Sequence, residues 1–343
     1  MSITVRAARR AAYGTDMHGI PRTDEELAHT YRDFALREAA GRSPSYERLC
    51  LGVAADAEVL ALVGALPLAK RQPNLLLGAV RLLGGPVGDY PAFRDWLVAH
   101  WPAVREQMLA RSTQTNEAAR CAVLLPVLAA LPQPLALIEV GASAGLCLHP
   151  DRYRYRYGDR APLGPADAPL LECSVDGPAP VPDRLPRVVW RAGIDLNPLD
   201  VTDPDDVRWL QSLIWPEHTE RMHRLTAAAA IAAAEPPLLV RGDLNESLTG
   251  LAEQAPAEAT LVVFHTAVLA YLDAAGVERF AAQMAELTRR RPGTVWLSNE
   301  APRVVPQVAA RLPREAPPGR FALAVDGRPV AFTMPHGQGV DWF

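Results

Sequence analysis

The sequence is almost free of lysine: Lys70 is the only one, although lysine and arginine together number 35. No Tyr-x-x-x-Lys pair is present, which excludes the catalytic signature of short-chain dehydrogenases. Cysteine is also scarce, with four scattered residues and no Cys-x-x-Cys pair. This excludes a disulfide-based scaffold and a local zinc motif, and it indicates a reduced protein.

Long apolar runs are missing as well. The most apolar region, 121–138, is interrupted by three prolines, and the N-terminal segment MSITVRAARRAAYG has no apolar core of signal-peptide length. The net charge of −4 provides no overall basic field for nucleic acid. We therefore expect a cytoplasmic protein without membrane or nucleic-acid partners, which acts on a small molecule and is compatible with a homodimer.

The hydrophobic pattern of the sequence changes near residue 131. From Thr23 to Leu131, apolar residues recur at helical spacing and strand-like runs are almost absent. After that, short β-branched runs alternate with helical segments and end in a hairpin with Asp326-Gly327 at its turn. We predict an all-α module over 1–131 and an α/β domain with a mostly parallel sheet over 132–343, with an insertion at about 151–186.

The stretch LALIEVGASAGL, residues 135–146, carries the first chemical signature. Its pattern predicts a buried strand that ends at Gly141, a glycine turn and the start of a helix. Three interpretations fit this turn. Gly141-Ala-Ser143-Ala-Gly145 matches the G-x-S-x-G elbow of serine hydrolases, and it resembles both the glycine turn of dinucleotide-binding dehydrogenases and the first motif of S-adenosylmethionine (SAM) methyltransferases.

The chain order favours the third interpretation. A hydrolase triad of Ser143, Asp243 and His336 can be drawn, but an elbow serine normally follows several strands, and here almost everything before it is helical. A dehydrogenase would also need residues for a nicotinamide site, which we do not find. A helical module followed by alternating strands and helices with a terminal hairpin resembles the Rossmann-like methyltransferase fold.

Residues at later strand ends support a SAM site. Asp195 resembles the acid that accepts hydrogen bonds from the ribose hydroxyls, and Asp243-Leu244 resembles the adenine-binding segment. Glu139, just before the turn, would fix the turn or meet the methionine amino group. Asp159 lies closer to the usual spacing, so it stays an alternative to Asp195, which we prefer because a core strand leads into it. The predicted cofactor-binding residues are Glu139, Gly141, Ser143, Gly145, Asp195, Asp243 and Leu244.

Three residues are candidates for catalysis. His265 follows a buried strand at the expected position of methyl transfer, where a neutral imidazole would remove a proton from the substrate. The alternative for His265 is a satisfied core histidine. His336 is a second candidate base, and Glu300 would orient either histidine. The three together could also bind a metal, although their spacing is not a local metal motif.

A polar cluster before a buried-looking helix supplies candidate substrate contacts. Either these side chains cap the helix and form an internal salt bridge, or they reach over the ligand. With one residue after the fourth strand of the domain, the predicted substrate-binding residues are Gln114, Asn116, Glu117, Arg120 and Tyr271.

Several long motifs together resemble a large bacterial family that is frequent in actinobacteria and described as a domain of unknown function. They are TQTNEAARCAVLLP, IEVGASAGL, DRYRYRYGD, GIDLNPLDVTDPDDVRWLQSLIWPE and FHTAVLAYL, and the resemblance runs from about Tyr31 to Phe343. It implies a methyltransferase-like fold but no particular activity. A fold that binds SAM or another ligand without catalysis is therefore the main alternative to a SAM-dependent methyltransferase.

Overall fold

The computed structural model describes residues 23–343, so the N-terminal segment considered above lies outside the described residues. The described chain forms a sheet unit, Asn116–Val201 and Ala227–Phe343, and a helical unit, 23–115 and Thr202–Thr226. The polar cluster from Asn116 onward and the following apolar helix belong to the sheet unit, whereas Thr202–Thr226 belongs to the helical unit.

The helices follow the predicted pattern with two differences. In chain order they are α1 Asp24–Asp33, α2 Pro44–Ala55, α3 Ala57–Gly64, α4 Pro73–Leu82, α5 Tyr90–Ala99, α6 Trp101–Ala110, α7 Cys121–Ala130, α8 Pro204–Ser212, α9 Thr219–Ala234, α10 Leu244–Ala252, α11 Ala274–Arg290 and α12 Pro306–Ala309. The apolar pattern over 43–66 predicts one helix, but Asp56 ends α2 and caps α3 by accepting from the N–H groups of Glu58 and Val59. The segment after Asp243, expected as a loop, forms α10.

Ten strands form one sheet. They are β1 Leu135–Val140, β2 Arg154–Tyr157, β3 Leu170–Asp176, β4 Val188–Asp195, β5 Leu238–Arg241, β6 Thr260–Thr266, β7 Val295–Glu300, β8 Phe321–Val325, β9 Arg328–Thr333 and β10 Gly339–Trp342. Their order is β2-β3-β10-β9-β8-β7-β6-β1-β4-β5. Pairs β7-β8, β8-β9 and β9-β10 are antiparallel and the other six are parallel. The prediction of an α/β fold with a mostly parallel sheet is confirmed.

The centre of the sheet has a Rossmann-like order. Counted along the chain, β5-β4-β1-β6-β7 follow the order 3-2-1-4-5, so the strand order reverses at β1, between β4 and β6. One face packs an apolar core around Ile138, Val263 and Phe280. Open α/β sheets bind ligands outside the carboxyl ends of the strands at such a switch point, and the fold therefore directs attention to the ends of β1, β4 and β6.

The connection from β1 to β4 departs from the expected one. The glycine turn leads into a single 3₁₀ turn, Leu146–Leu148, and no α-helix starts there. Within the described chain this connection carries β2 and β3, which pair in parallel and join the sheet beyond β10. Helix α7, buried from Cys121 to Leu128, packs against β3. The terminal hairpin accordingly lies inside the sheet instead of at its edge.

The alternation of tyrosine and arginine in β2 is a pattern typical of an edge strand. Strand β2 ends the sheet and pairs only with β3. Tyr153, Tyr155 and Tyr157 are buried, and their hydroxyls donate to backbone carbonyls at 2.6 Å. Arg154 and Arg156 lie on the other face and are partly exposed. Among residues 23–343, no helix has both the length and the apolarity that a membrane span requires.

A buried ion pair fastens β4 to the segment after the glycine turn. The Nη1 and Nη2 atoms of Arg191 each donate to one carboxylate oxygen of Asp151 at 2.8 Å, and Nη1 also donates to the carbonyl of Leu148 at 2.9 Å. The two side chains are only 5% and 10% exposed. A bidentate pair of this kind holds the 3₁₀ turn against the sheet.

We expect Asp151→Asn to lower the free energy of unfolding by about 3 kcal/mol, because the buried guanidinium keeps only the more distant, exposed carboxylate of Glu235, 3.5 Å away, as a counter-charge. Equilibrium unfolding in urea, followed by far-UV circular dichroism, measures this loss. The matched control is Glu286→Gln, which removes an exposed partner of Arg289 on α11 and should leave the unfolding midpoint unchanged. Equal midpoints for all three proteins would contradict the assigned role of the buried pair.

Candidate functional site

Polar side chains gather where the central strands end. We call this region the carboxyl edge and define it by the ends of β1, β4, β6, β7 and β9. Its buried or half-buried polar side chains are Glu139, Asp195, His265, Thr266, Asn299, Glu300 and Thr333. Buried polar groups are costly unless they are paired, so such a concentration at a switch point indicates a functional region.

The glycine turn after β1 is held in a left-handed conformation. Gly141, Ser143 and Gly145 have φ values of 73°, 50° and 71°. A Cβ atom on Gly141 would lie 2.3 Å from a methyl group of Val268, so only glycine fits this contact with the turn after β6. The left-handed Ser143 carries a side chain in a conformation that costs free energy, as is common at functional sites.

Every backbone N–H of this turn is already bonded within the sheet unit. Two donate to the carbonyl of Ile194, and the others donate to Asp195 Oδ2, Asn116 Oδ1 and the carbonyl of Ala142, at distances between 2.7 and 3.1 Å. No backbone donor of the turn remains for a phosphate. Since no α-helix begins at the turn either, both features that bind the pyrophosphate of a dinucleotide are missing here.

Asn116 acts as a clamp on the turn. Its Oδ1 accepts the N–H of Ala144 at 2.9 Å, and its Nδ2 donates to the Ser143 hydroxyl at 2.5 Å. Within the described residues, Asn116 is the only side-chain hydrogen-bond partner of the Ser143 hydroxyl. A hydrolase nucleophile would need an imidazole at this position, and the geometry supplies an amide instead.

Asp195 combines a structural role with remaining acceptor capacity. One carboxylate oxygen accepts the N–H of Ser143 and the other accepts the N–H of Asn197, both at 2.8 Å. Each oxygen retains a further lone pair, and the residue is half-buried. The alternative acid Asp159 follows β2, at the far end of the sheet from β4. Of the two acids, only Asp195 lies at the switch point.

The neighbouring strand end brings a second acid close to Asp195. The N–H of Gly242 donates to the backbone carbonyl of Asp195 at 3.0 Å, which joins the ends of β4 and β5. Asp243 caps α10 by accepting the N–H of Asn245 at 2.8 Å, and Leu244 is the first residue of that helix. Beside them Leu196 is 72% exposed, an unusual value for a large apolar side chain.

His265 lies in the core with both ring nitrogens bonded. Its Nε2 accepts the indole N–H of Trp296 at 2.9 Å, so the proton is on Nδ1, which donates to Glu300 Oε1 at 2.7 Å. The ring is 0% exposed and meets Phe280 edge-on. This is the satisfied core histidine considered as the alternative, since its only lone pair is already used.

Glu300 holds the turn after β6. Besides His265, its Oε1 accepts the N–H groups of Val268 and Leu269 at 2.8 and 3.0 Å. The same turn contains Ala267, whose φ of 60° is left-handed. Left-handed non-glycine residues therefore occur in the turns on both sides of the switch point, after β1 and after β6.

Two buried charged residues occupy the other face of these strands. Glu139 is 4% exposed, and its Oε2 has no hydrogen-bond partner. Burial raises the pKa of this carboxyl well above its ordinary value. Arg120 is 8% exposed; its Nε donates to the carbonyl of Pro335, and its Nη1 donates to the carbonyl and hydroxyl of Thr266. The internal salt bridge considered for Arg120 is not formed with any described carboxylate.

The remaining candidates lie in different places. Glu117 is buried and caps the 3₁₀ turn Ala118–Arg120, whereas Gln114 belongs to the helical unit. Tyr271 is 54% exposed at the end of the 3₁₀ turn after β6. His336 lies on the turn between β9 and β10, directly after Pro335. In residues 23–343, no three potential metal-binding side chains form a cluster suited to a metal ion.

Three edge residues, Thr266, Asn299 and Thr333, were not among the sequence candidates. The Thr333 hydroxyl donates to Asn299 Oδ1 at 2.7 Å, and both residues are 0% exposed. The segment TVWLSNE ends in polar residues after an otherwise apolar strand. This pattern indicates a polar strand end and could have pointed to Asn299. Nothing in the local sequence distinguishes Thr333.

The chain belongs to a bacterial family described as "Uncharacterized protein conserved in bacteria (DUF2332)", whose sequence profile matches residues 28–342. This agrees with the family type expected from the motifs. No curated protein and no solved structure matches the chain. The family assignment therefore adds no substrate or cofactor to the geometry described above.

We expect Glu139→Gln to change how stability depends on pH. The raised pKa keeps Glu139 protonated in the folded protein, while the unfolded chain loses this proton above about pH 4.5. Wild-type stability should therefore fall relative to the variant as pH rises, by up to about 1 kcal/mol per pH unit until the folded-state pKa is reached. Urea unfolding between pH 4 and pH 8 measures the difference, and the exposed Glu246→Gln should run parallel to the wild type. Parallel curves for Glu139→Gln would contradict a raised pKa.

Proposed function

We propose that this member of the bacterial family is a SAM-dependent methyltransferase that acts on a small molecule and has a methyltransferase-like form of the Rossmann fold. The observation that carries the proposal is that the backbone N–H groups of the glycine turn beside Asp195 are all occupied by hydrogen bonds within the protein. At this switch point the edge offers acceptors for a ribose, but no backbone donor for a phosphate. A nucleoside cofactor without phosphate fits this combination, and SAM is such a cofactor.

The charges of the edge also suit SAM, which carries a sulfonium and an ammonium group. Asp195 ends one strand, Asp243 follows the adjacent strand, and the two supply the negative charge, whereas Glu139, whose pKa burial raises, contributes only a buried carboxyl oxygen that lacks a partner. We assign the ribose hydroxyls to the lone pairs that remain on Asp195, and the adenine amino group to Asp243. The exposed side chain of Leu196 would cover the adenine ring.

When bound, SAM would supply an electrophilic methyl group, and the protein's main contribution would be to align the acceptor with it. His265 cannot serve as the base in the observed arrangement, because the indole of Trp296 already occupies its lone pair. With Glu300, it instead fixes the turn after β6. For an acceptor that must lose a proton, His336 remains the candidate base.

The occupied lone pair of His265 also favours a second function, in which SAM or a related nucleoside is bound without methyl transfer. The two functions share the cofactor site and differ in turnover. Incubation with methyl-labelled SAM and a panel of small acceptors separates them. Labelled product supports the transferase, whereas tight binding without transfer to any acceptor supports the binding protein.

We expect micromolar binding of SAM and S-adenosylhomocysteine by isothermal titration calorimetry, and about tenfold weaker binding for Asp195→Asn, because one charged acceptor is lost. Asp243→Asn should weaken binding too, while asparagine still caps the helix. The matched control is Asp203→Asn in the helical unit, since Asp203 caps α8 through the same contact at 2.8 Å. A wild-type protein that binds NAD but neither SAM nor its product would overturn the proposal.

A further inference from the structure

We infer that the carboxyl edge contains a subsite for the carboxylate of the methyl acceptor, formed by the guanidinium of Arg120 and the side-chain amide of Asn299. The inference rests on the proposed function and deepens it, because it assigns the acceptor to the small organic acids. The subsite itself does not require that SAM be bound.

Arg120 is a buried cation without a counter-ion. The residue is 8% exposed, and it forms no ion pair within residues 23–343, where its hydrogen bonds go to Pro335 and Thr266. Its three hydrogen bonds, between 2.9 and 3.1 Å, all go to neutral oxygens of Pro335 and Thr266. These bonds use Nε and Nη1 and fix the plane of the guanidinium. They leave Nη2 without a protein acceptor in the described chain, and a buried charge is normally paired.

Asn299 provides a second donor without a partner. The residue is 0% exposed, and its Oδ1 accepts the hydroxyl of Thr333 at 2.7 Å. This bond orients the amide, and Nδ2 is left with no hydrogen-bond partner. An unsatisfied buried N–H group costs on the order of 1–3 kcal/mol, which a ligand acceptor would recover.

Strand register brings the two donors together. Thr266 on β6 and Asn299 on β7 are directly paired positions, so their side chains project from the same face of the sheet. Arg120 is bonded to the Thr266 hydroxyl on that face. The guanidinium and the amide therefore lie on neighbouring strand ends, on the β6–β7 side of the switch point. Asp195 and Asp243, assigned to the nucleoside, lie on the β4–β5 side.

The charge balance favours a carboxylate over a phosphate. One carboxylate neutralises one arginine, and its two oxygens accept from two donors in one plane. A phosphate dianion would exceed the single positive charge, and it would share a face of the sheet with Glu139, which is paired with Phe264 on the strand that carries Thr266. Burial raises the pKa of Glu139 and so favours its neutral form, which makes this residue a poor counter-ion for Arg120.

The test measures carboxylate binding in the absence of SAM. Benzoate and 3-phenylpropionate are titrated into the full chain beside their uncharged amides, with saturation-transfer NMR as the readout. We expect the acids to bind with Kd values of about 10 mM or tighter, and the amides to bind at least about tenfold more weakly. Equal binding of acid and amide, tighter binding of inorganic phosphate, or no binding of either acid overturns the inference.

Two variants and one control locate the binding. Arg120→Lys keeps the charge but loses the planar fork, and Asn299→Asp places a like charge beside the ligand, so each should reduce benzoate binding at least about tenfold. Arg152→Lys, at a partly exposed arginine that pairs with Glu235, should not change it. Circular dichroism verifies that each variant is folded. If a folded Asn299→Asp protein binds benzoate as well as the wild type, the subsite is wrongly assigned even where Arg120→Lys does not fold.

A last arm distinguishes two sources of the carboxylate, the acceptor and the methionine part of SAM itself. Benzoate is titrated again with saturating S-adenosylhomocysteine. Unchanged or tighter benzoate binding supports the acceptor subsite, and competition overturns it. The two proposals fail in different ways. Benzoate binding without any SAM binding refutes the methyltransferase but leaves the carboxylate subsite. SAM binding without benzoate binding refutes the carboxylate subsite but leaves the methyltransferase.

Discussion

The carboxyl edge depends on how the turn after β1 is held. Every second residue of this turn, namely Gly141, Ser143 and Gly145, has a left-handed backbone conformation. Such a turn is stable only when its surroundings fix it. Asp195 from β4 and Asn116 from the segment before α7 do this by accepting the N–H groups of Ser143 and Ala144. The same bonds use the donors with which related turns bind phosphate, so the support of the turn also restricts the ligands that the site can accept.

The unusual connection after β1 explains where these supports come from. In a common βαβ unit, a helix would follow the turn and cover the sheet. Here the chain leaves to form β2 and β3, and the apolar helix α7, which precedes β1, packs on β3. The residues just before α7 are thereby brought to the edge. Asn116 and Arg120 are both in this short segment, so one topological change supplies both the clamp on the turn and the buried cation.

Local pattern was sufficient for much of the fold but not for its contacts. The alternation in β2, the Asp326-Gly327 hairpin and the helical first third follow from spacing and turn chemistry, which act over a few residues. The occupied lone pair of His265 could not be predicted, because it depends on Trp296, which lies 31 residues away on the next strand. The pair Asn299–Thr333 likewise depends on the register of three strands. The place of Asp195 at a strand end could be predicted because a strand end is visible in sequence, whereas the hydrogen-bond partners of its side chain are not.

The two sides of β1 differ in their hydrogen-bonding character. On the β4–β5 side, Asp195 and Asp243 present acceptors, while on the β6–β7 side Arg120 and Asn299 present donors. A ligand that offers hydrogen-bond donors therefore fits the β4–β5 side, and a ligand that carries an anionic group fits the β6–β7 side. Exchanging the two ligands would leave both sides unsatisfied. Gly141 packs directly on Val268, so the two turns that separate the two sides are in contact with each other. Under the proposed function, this arrangement would place the cofactor and the acceptor on opposite sides of the switch point, and alignment of this kind is the principal requirement of a direct group transfer.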